Sequence, residues 1–224
     1  DVQMEVTSPQ AKVEADAVIT PGRVVELRRD MKAELVLTAE AVEVLGILNP
    51  QLLALEATDQ PLRLTVHQKD FAWPIPRPGQ AMDLKKVQSD VTLDLGEVKL
   101  RREGMVKDVF EVLAGFGGKF SSERVMDVRF TPLEMKLHNG QLVTNDMWMI
   151  SSDLLMGTQV QMDLNREPAQ AVVHLGVSGQ TIRRLPGARK SLPADFVADI
   201  RLAAPLSEIK VDKPALIMQL TPLF

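Results

Sequence analysis

Three histidines, His67, His138 and His174, are the side chains of this sequence best suited to moving protons or binding metal near neutral pH. Each falls inside a strand-like pattern, and none has a second histidine or a carboxylate at a spacing that builds a metal site. His138 reads as a surface residue flanking a turn. Gly115-Phe116-Gly117-Gly118-Lys119 has the composition of a phosphate cradle, but a P-loop needs a glycine five residues before the glycine of its Gly-Lys pair, and Leu113 stands there. The stretch also follows a helical pattern instead of a strand. Ser151-Ser152-Asp153 lacks the glycine-flanked elbow that exposes a serine nucleophile and reads as a loop. Glu40 and Glu43 share a helical face, Asp94 and Glu97 sit on strand edges, and solvation accounts for both pairs. Cysteine is absent, which removes thiol nucleophiles, disulfides and thiolate-bound zinc. No set of catalytic roles assembles, so the expectation is a non-enzymatic protein without cofactor or metal.

The elements that would position any site are strands. Leu133 to Ile150 reads LEMKLHNGQLVTNDMWMI, and Asn139-Gly140 is a type I′ hairpin turn signal because both residues tolerate φ > 0. Folding across it pairs Leu137 with Leu142 and sets Leu133, Met135, Leu137, Leu142, Trp148 and Ile150 on one face. Val160, Met162 and Leu164 of the following strand extend that face. Asp146 falls on it too, which predicts either a β-bulge between Thr144 and Trp148 that turns Asp146 outward or a frayed strand end.

Period-two alternation recurs at Lys12 to Ile19, Met31 to Thr38, Pro61 to Gln68, Val91 to Arg101, Asp127 to Leu137, Gln141 to Ser151, Thr158 to Leu164, Ala171 to Val177, Phe196 to Ala203 and Ala215 to Leu220. Two helices interrupt it. Thr38 caps one that ends at Asn49-Pro50, and the other runs from about Gly104 to Leu113 with Met105, Val106, Val109, Phe110 and Leu113 as its apolar stripe. A short turn lies at Thr181 to Leu185. Pro74, Pro76 and Pro78 make residues 71–80 an extended connection, unfit for a central strand, that joins two halves of a single β-rich domain spanning 1–224. The expected fold is mainly β: a curved, largely antiparallel sheet forming a groove or half-barrel with an apolar concave face. Two short helices cannot cover ten strands, so the sheet either curls on itself or leaves a partly open apolar trough.

With 26 basic and 30 acidic residues among 224, the net charge is −4 and no massed basic face suggests nucleic acid. Aromatic residues make up 4% with no tyrosine, while methionine reaches 11, a composition suited to a soft apolar lining. No apolar run is long enough to span a bilayer, and the chain, opening at Asp1, reads as a mature form or an excised soluble piece.

The order of segments resembles the AsmA-like superfamily of Gram-negative envelope proteins, in the region toward their C-terminus. The resemblance is carried by Phe130 to Trp148, by Met156-Gly157 through Asp163-Leu164, by Val172 to Val177, and by the closing LSEIKVDKP of Leu206 to Pro214, where a lysine-proline pair precedes a last strand. Leu45 to Val66, with Asn49-Pro50 and Pro61-Leu-Arg-Leu-Thr-Val, is similar to the region preceding that module. The resemblance implies a periplasmic or cell-envelope setting, attachment to the inner membrane through segments absent from this chain, and lipid transport or outer-membrane homeostasis. The expected partner is a lipid acyl chain against Leu133, Met135, Leu137, Leu142, Trp148, Ile150, Val160, Met162 and Leu164. The alternative is a structural or assembly protein that offers sheet edges and its apolar face to another protein. Oligomeric state is left open.

Overall fold

Asn139 and Gly140 adopt φ of 54° and 73°, Leu137 pairs with Leu142, and the hairpin around them is the register mark for the strands on both sides. The structure is a computed structural model that describes residues 2–8, 11–56, 58–166, 169–193, 195–205 and 209–224. In chain order its strands are β1 (Val2–Thr7), β2 (Ala11–Ile19), β3 (Val24–Leu27), β4 (Met31–Leu37), β5 (Thr58–Val66), β6 (Trp73–Pro74), β7 (Gln88–Asp94), β8 (Glu97–Arg101), β9 (Val125–Phe130), β10 (Leu133–His138), β11 (Gln141–Thr144), β12 (Met147–Ile150), β13 (Leu155–Asp163), β14 (Gln170–Ser178) and β15 (Val197–Pro205). They form one antiparallel sheet, not closed into a barrel, as the expectation of a curved open sheet required. From the β1 edge it runs through β2, whose far side is shared by β3 and β4, then β5, β7, β10, β11, β13, β14 and β15. β6 sits at an edge beside β3, where prolines do least harm to a ladder.

Three of the long strands expected from the sequence are each broken in two, and the breaks line up. β8, β9 and β12 prolong β7, β10 and β11: pairing runs without a shift from Gln88↔His138 to Arg101↔Val125, and from His138↔Gln141 to Ile150↔Arg129. At the break each strand slips its alternation by one residue. The buried positions go from Leu93 and Leu95 to Val98 and Leu100, from Val128 and Phe130 to Leu133 and Met135, and from Leu142 and Thr144 to Met147 and Met149. β13 keeps Met156, Thr158, Val160 and Met162 buried without interruption. The slip therefore appears at its border as a bulge, with Val143 opposite Gln161 but Met147 opposite Thr158. Asp146 lies in that bulge and is exposed, as its charge required.

Side chains occupy the hydrogen-bond positions that this crease opens. Gly96 turns at φ 60° with its N–H on Asp94 Oδ1 (3.0 Å). Thr131 Oγ1 accepts from Trp148 N (2.9 Å), Asn145 Oδ1 accepts from Glu134 N (3.0 Å) and its Nδ2 donates to the Pro132 carbonyl (3.1 Å). Thr144 Oγ1, itself buried, accepts from Val160 N (2.8 Å).

Helices cover one side of the sheet. α1 (Ala39–Leu48) starts at Thr38, whose Oγ1 accepts from Ala41 N (3.2 Å). Asn49, expected only to end α1, is fully buried and donates through Nδ2 to Thr158 Oγ1 (2.7 Å), fixing the helix end to the middle of β13. α2 (Gly104–Gly115) buries Met105, Val106, Val109, Phe110, Val112 and Leu113, and the glycine stretch after it is a helix stop in which Gly117 (φ 83°) and Gly118 return their N–H groups to Ala114 and Leu113 carbonyls. α3 (Gly179–Ile182) occupies the expected turn region. α4 (Lys213–Leu220) corrects the expected strand Ala215 to Leu220. Asp212 caps it and Pro214 suits its first turn, and the buried pair Leu216 and Leu220 follows helical spacing while Ile217 and Met218 face out. Residues 206–208 of the closing motif lie outside the described residues.

Lys213 binds Asp108 (2.7 Å) and Glu111 (2.6 Å) and ties α4 to α2; those carboxylates raise the Lys213 pKa, and Lys213 lowers that of Glu111. The Glu111 contribution is present above the ordinary carboxylate range and is lost as pH falls through its depressed value.

Gly140→Val is expected to destabilise by roughly 1–3 kcal/mol in chemical denaturation, because a β-branched residue is strained at positive φ. Its Cβ would also collide with the Asn165 amide, which donates to the Asn139 carbonyl from beneath the turn. Thr144→Val is expected to cost about 1–3 kcal/mol in the same assay by orphaning the buried Val160 N–H.

Candidate functional site

The apolar face expected from the sequence exists, and most of it is core. Leu133, Met135, Leu142, Val160 and Met162 are all buried beneath the helices, with Leu137 and Leu164 half-buried against them. Trp148 and Ile150 do not share that face. The bulge at Asn145-Asp146 moves them to the opposite side, Ile150 is 40% exposed, and Met147 and Met149 are fully buried in their place. One inserted residue reverses the face of everything after it.

Followed away from the helices, the same face emerges into solvent. A continuous cross-strand row runs Leu133, Leu93, Leu64, Ala33, Val13 and Val6, and a second runs Met135, Val91, Val66 and Met31. Beside the first row, Met4 pairs with Ala15, Val2 with Ala17, and Ile19 with Val25, which pairs in turn with Trp73. Cross-strand partners point to one side, so all these side chains share the face of Leu133. Among the described residues the main core reaches β4 and β5 through Leu37, Leu62, Leu35 and Leu64 and takes in no residue of β1, β2 or β3, where Ala15 and Leu27 are buried apart from it. Val2, Met4, Val6, Ile19 and Trp73 are 39–50% exposed as a result.

The first of these strands was missed in the sequence reading, although Val2, Met4 and Val6 alternate with Gln3, Glu5 and Thr7 as cleanly as the strand at Thr158 to Leu164. Trp73 pairs at an edge, within the segment that its prolines mark as extended and unfit for a central strand. Chemically, the exposed strip offers aliphatic, thioether and indole surface, and the polar groups of these strands point the other way. There Lys12 and Glu14 pair at 3.0 Å, each stabilising the other's charge, and Gln68 N–H (2.8 Å) holds the Asp30 carboxyl below the usual carboxylate range.

Each histidine has an aspartate beside it. His67 lies 3.4 Å from Asp30 and 2.8 Å from Thr92, His138 lies 2.7 Å from Asp90, and His174 lies 3.4 Å from Asp199. Among the described residues no group of three or more His, Asp or Glu side chains could hold a metal ion. Ser151 Oγ is engaged within its own loop, donating to the Leu154 carbonyl at 3.1 Å and accepting from Leu154 N at 2.9 Å. On the outer face Trp148 lies over Gly157, which pairs with Gly176, and borders a hollow of about 290 Å³ with Asp146, His174 and Asp199 at its rim. The glycine beneath the indole is the packing that aromatic residues bring to glycines in sheets.

No family model, no curated protein and no solved structure matches the chain. Among the described residues no helix is long and apolar enough to cross a membrane.

The two faces predict opposite responses to charge. Met162→Asp puts an unpaired carboxylate in the core and is expected to abolish cooperative thermal unfolding, whereas Ile150→Asp should shift the midpoint little. Equal tolerance of both would contradict the assignment of the faces.

Proposed function

We propose that this protein is a non-enzymatic lipid-shielding module whose apolar sheet face accepts acyl chains at its uncovered end, over β1, β2, β3 and β6. The observation that supports it is the unbroken row from the buried Leu133 to the exposed Val6, flanked by Met4, Ile19 and Trp73. Isolated exposed apolar residues are ordinary; a registered strip continuous with the core is a surface suited to an apolar guest. Burial contributes about 0.8 kcal/mol per methylene, so six methylenes give about 5 kcal/mol before the cost of ordering the chain. A cell-envelope setting and a part in lipid movement toward the outer membrane fit the AsmA-like pattern of Phe130 to Leu164.

A second reading rests on the edge itself. Among the described residues β1 pairs with β2 alone, and it carries no proline or lysine, so its other side offers a template for strand addition by a partner protein.

Titration with a fluorescent fatty acid is expected to give saturable binding that Met4→Asp weakens at least about tenfold and Val143→Asp, on the opposite face, leaves unchanged. Both substitutions are at exposed positions and should leave the fold intact. Absence of binding, or equal binding by Met4→Asp, would overturn the proposal. Self-association in sedimentation that Gln3→Pro removes would favour strand addition instead.

A further inference from the structure

The turn between β2 and β3 contains an arrangement that its backbone does not favour. Arg23 sits at φ 60°, in the left-handed region where glycine is relaxed, while Gly22 beside it is not among the residues of positive φ. The turn is well made around it: Arg23 N donates to the Thr20 carbonyl at 2.9 Å, and Ile75 N donates to the Arg23 carbonyl at 2.7 Å. A long cationic side chain thus occupies a position that glycine would fill with less strain.

That side chain borders a hollow of about 580 Å³ between the β2–β3 turn and the loop of residues 75–86, on the face opposite the apolar strip, where Val24, Pro74 and Gln88 point. Arg77, Lys85 and Lys86 line it as well, and among the described residues Asp83 is its only acid. Asp83 is already engaged, with Lys86 at 3.2 Å and with the backbone N–H of Lys85 at 3.2 Å. Among the described residues Arg23, Arg77 and Lys85 form no ion pair. Four cations, Arg23, Arg77, Lys85 and Lys86, therefore line one concavity whose acid, Asp83, offsets the charge of Lys86 and in part of Lys85, in a chain of net charge −4. A concave, one-signed site focuses potential on an ion of the other sign.

We propose that this hollow is a binding site for a phosphate-bearing anion, with Arg23 and Arg77 presenting guanidinium forks and Lys85 and Lys86 supplying point charges. Pro74, Pro76 and Pro78 stiffen the loop that carries Arg77, and Arg23 Nη2 donates to the Pro76 carbonyl at 3.4 Å, so little ordering remains to be done on binding. The phosphate can belong to a lipid headgroup or to a soluble phosphate ester. The site does not depend on the acyl-chain reading, since it lies on the other face of the sheet.

The test titrates the whole chain with inorganic phosphate and with glycerol phosphate at constant ionic strength. It also sediments the chain with phosphatidylcholine vesicles, with and without phosphatidylglycerol. Arg23→Gly relieves the turn and should unfold at the same midpoint or slightly higher, yet weaken binding about tenfold; Arg77→Ala with Lys85→Ala should weaken it further, and Lys119→Ala, outside the lining of the hollow, should not. Saturable binding of the soluble phosphates with this variant pattern supports a soluble ligand. The same pattern seen only with phosphatidylglycerol vesicles supports a headgroup. No binding in either arm, or binding that Arg23→Gly and the double variant leave unchanged, overturns the site, while fatty-acid binding is read separately and can stand or fall on its own.

Discussion

A strand shows alternate side chains to alternate faces, and this period of two is the constraint on which the structure turns. A sheet that bends must keep its apolar side chains on one side through the bend. Here three neighbouring strands meet that demand along one line, each slipping its alternation by a residue, at Gly96, at Thr131-Pro132 and at Asn145-Asp146. Two of the breaks have evident causes. Gly96 adopts positive φ and Pro132 has no N–H to give to a ladder. The third lies against an unbroken β13, so its mismatch is a bulge, and Thr144, Asn145 and Thr131 hold it by taking or giving the hydrogen bonds that the ladder loses.

Because the crease keeps the apolar side of β7 to β12 facing the helices, Met147 and Met149 join Leu133 and Met135 in one core. Asn49 extends that closure by joining the end of α1 to Thr158. Beyond β4 the sheet keeps the same apolar side, and among the described residues the core takes in nothing of β1, β2 or β3. The molecule thus combines a closed part, whose stability is that of an ordinary packed interior, with an exposed margin at Val2, Met4, Val6, Ile19 and Trp73 that keeps the same chemistry at its surface. A guest on the exposed margin would meet side chains already held in register by their neighbours.

Much of this was legible in the residues. Asn139-Gly140 determined a turn and through it a register, because few residues tolerate two successive positive φ values. Asp146 on an otherwise apolar face predicts a bulge or a frayed strand end, and the structure has the bulge; that Trp148 and Ile150 then change faces follows from the same period of two. Ala215 to Leu220 is too short an apolar run for periodicity to separate strand from helix, although Asp212 and Pro214 carry the helix-start signal. The part beyond sequence reasoning was which strands the helices cover, since α1, α2 and α4 converge on the β8–β15 half through contacts distant in the chain, such as Asn49 to Thr158 and Lys213 to Asp108. Of the nine residues expected to face lipid, seven lie on the apolar side within the closed part, and Trp148 and Ile150 lie on the other side.

Where a bound chain lies is the most direct test of the proposed shielding. A fatty acid with a photoreactive diazirine near its methyl end, irradiated in complex with the protein and mapped by peptide mass spectrometry, should label peptides containing Met4, Ile19 and Trp73. Labelling concentrated at Met135, Met147 and Met162 would contradict it, because those side chains are closed to any guest while the fold is intact.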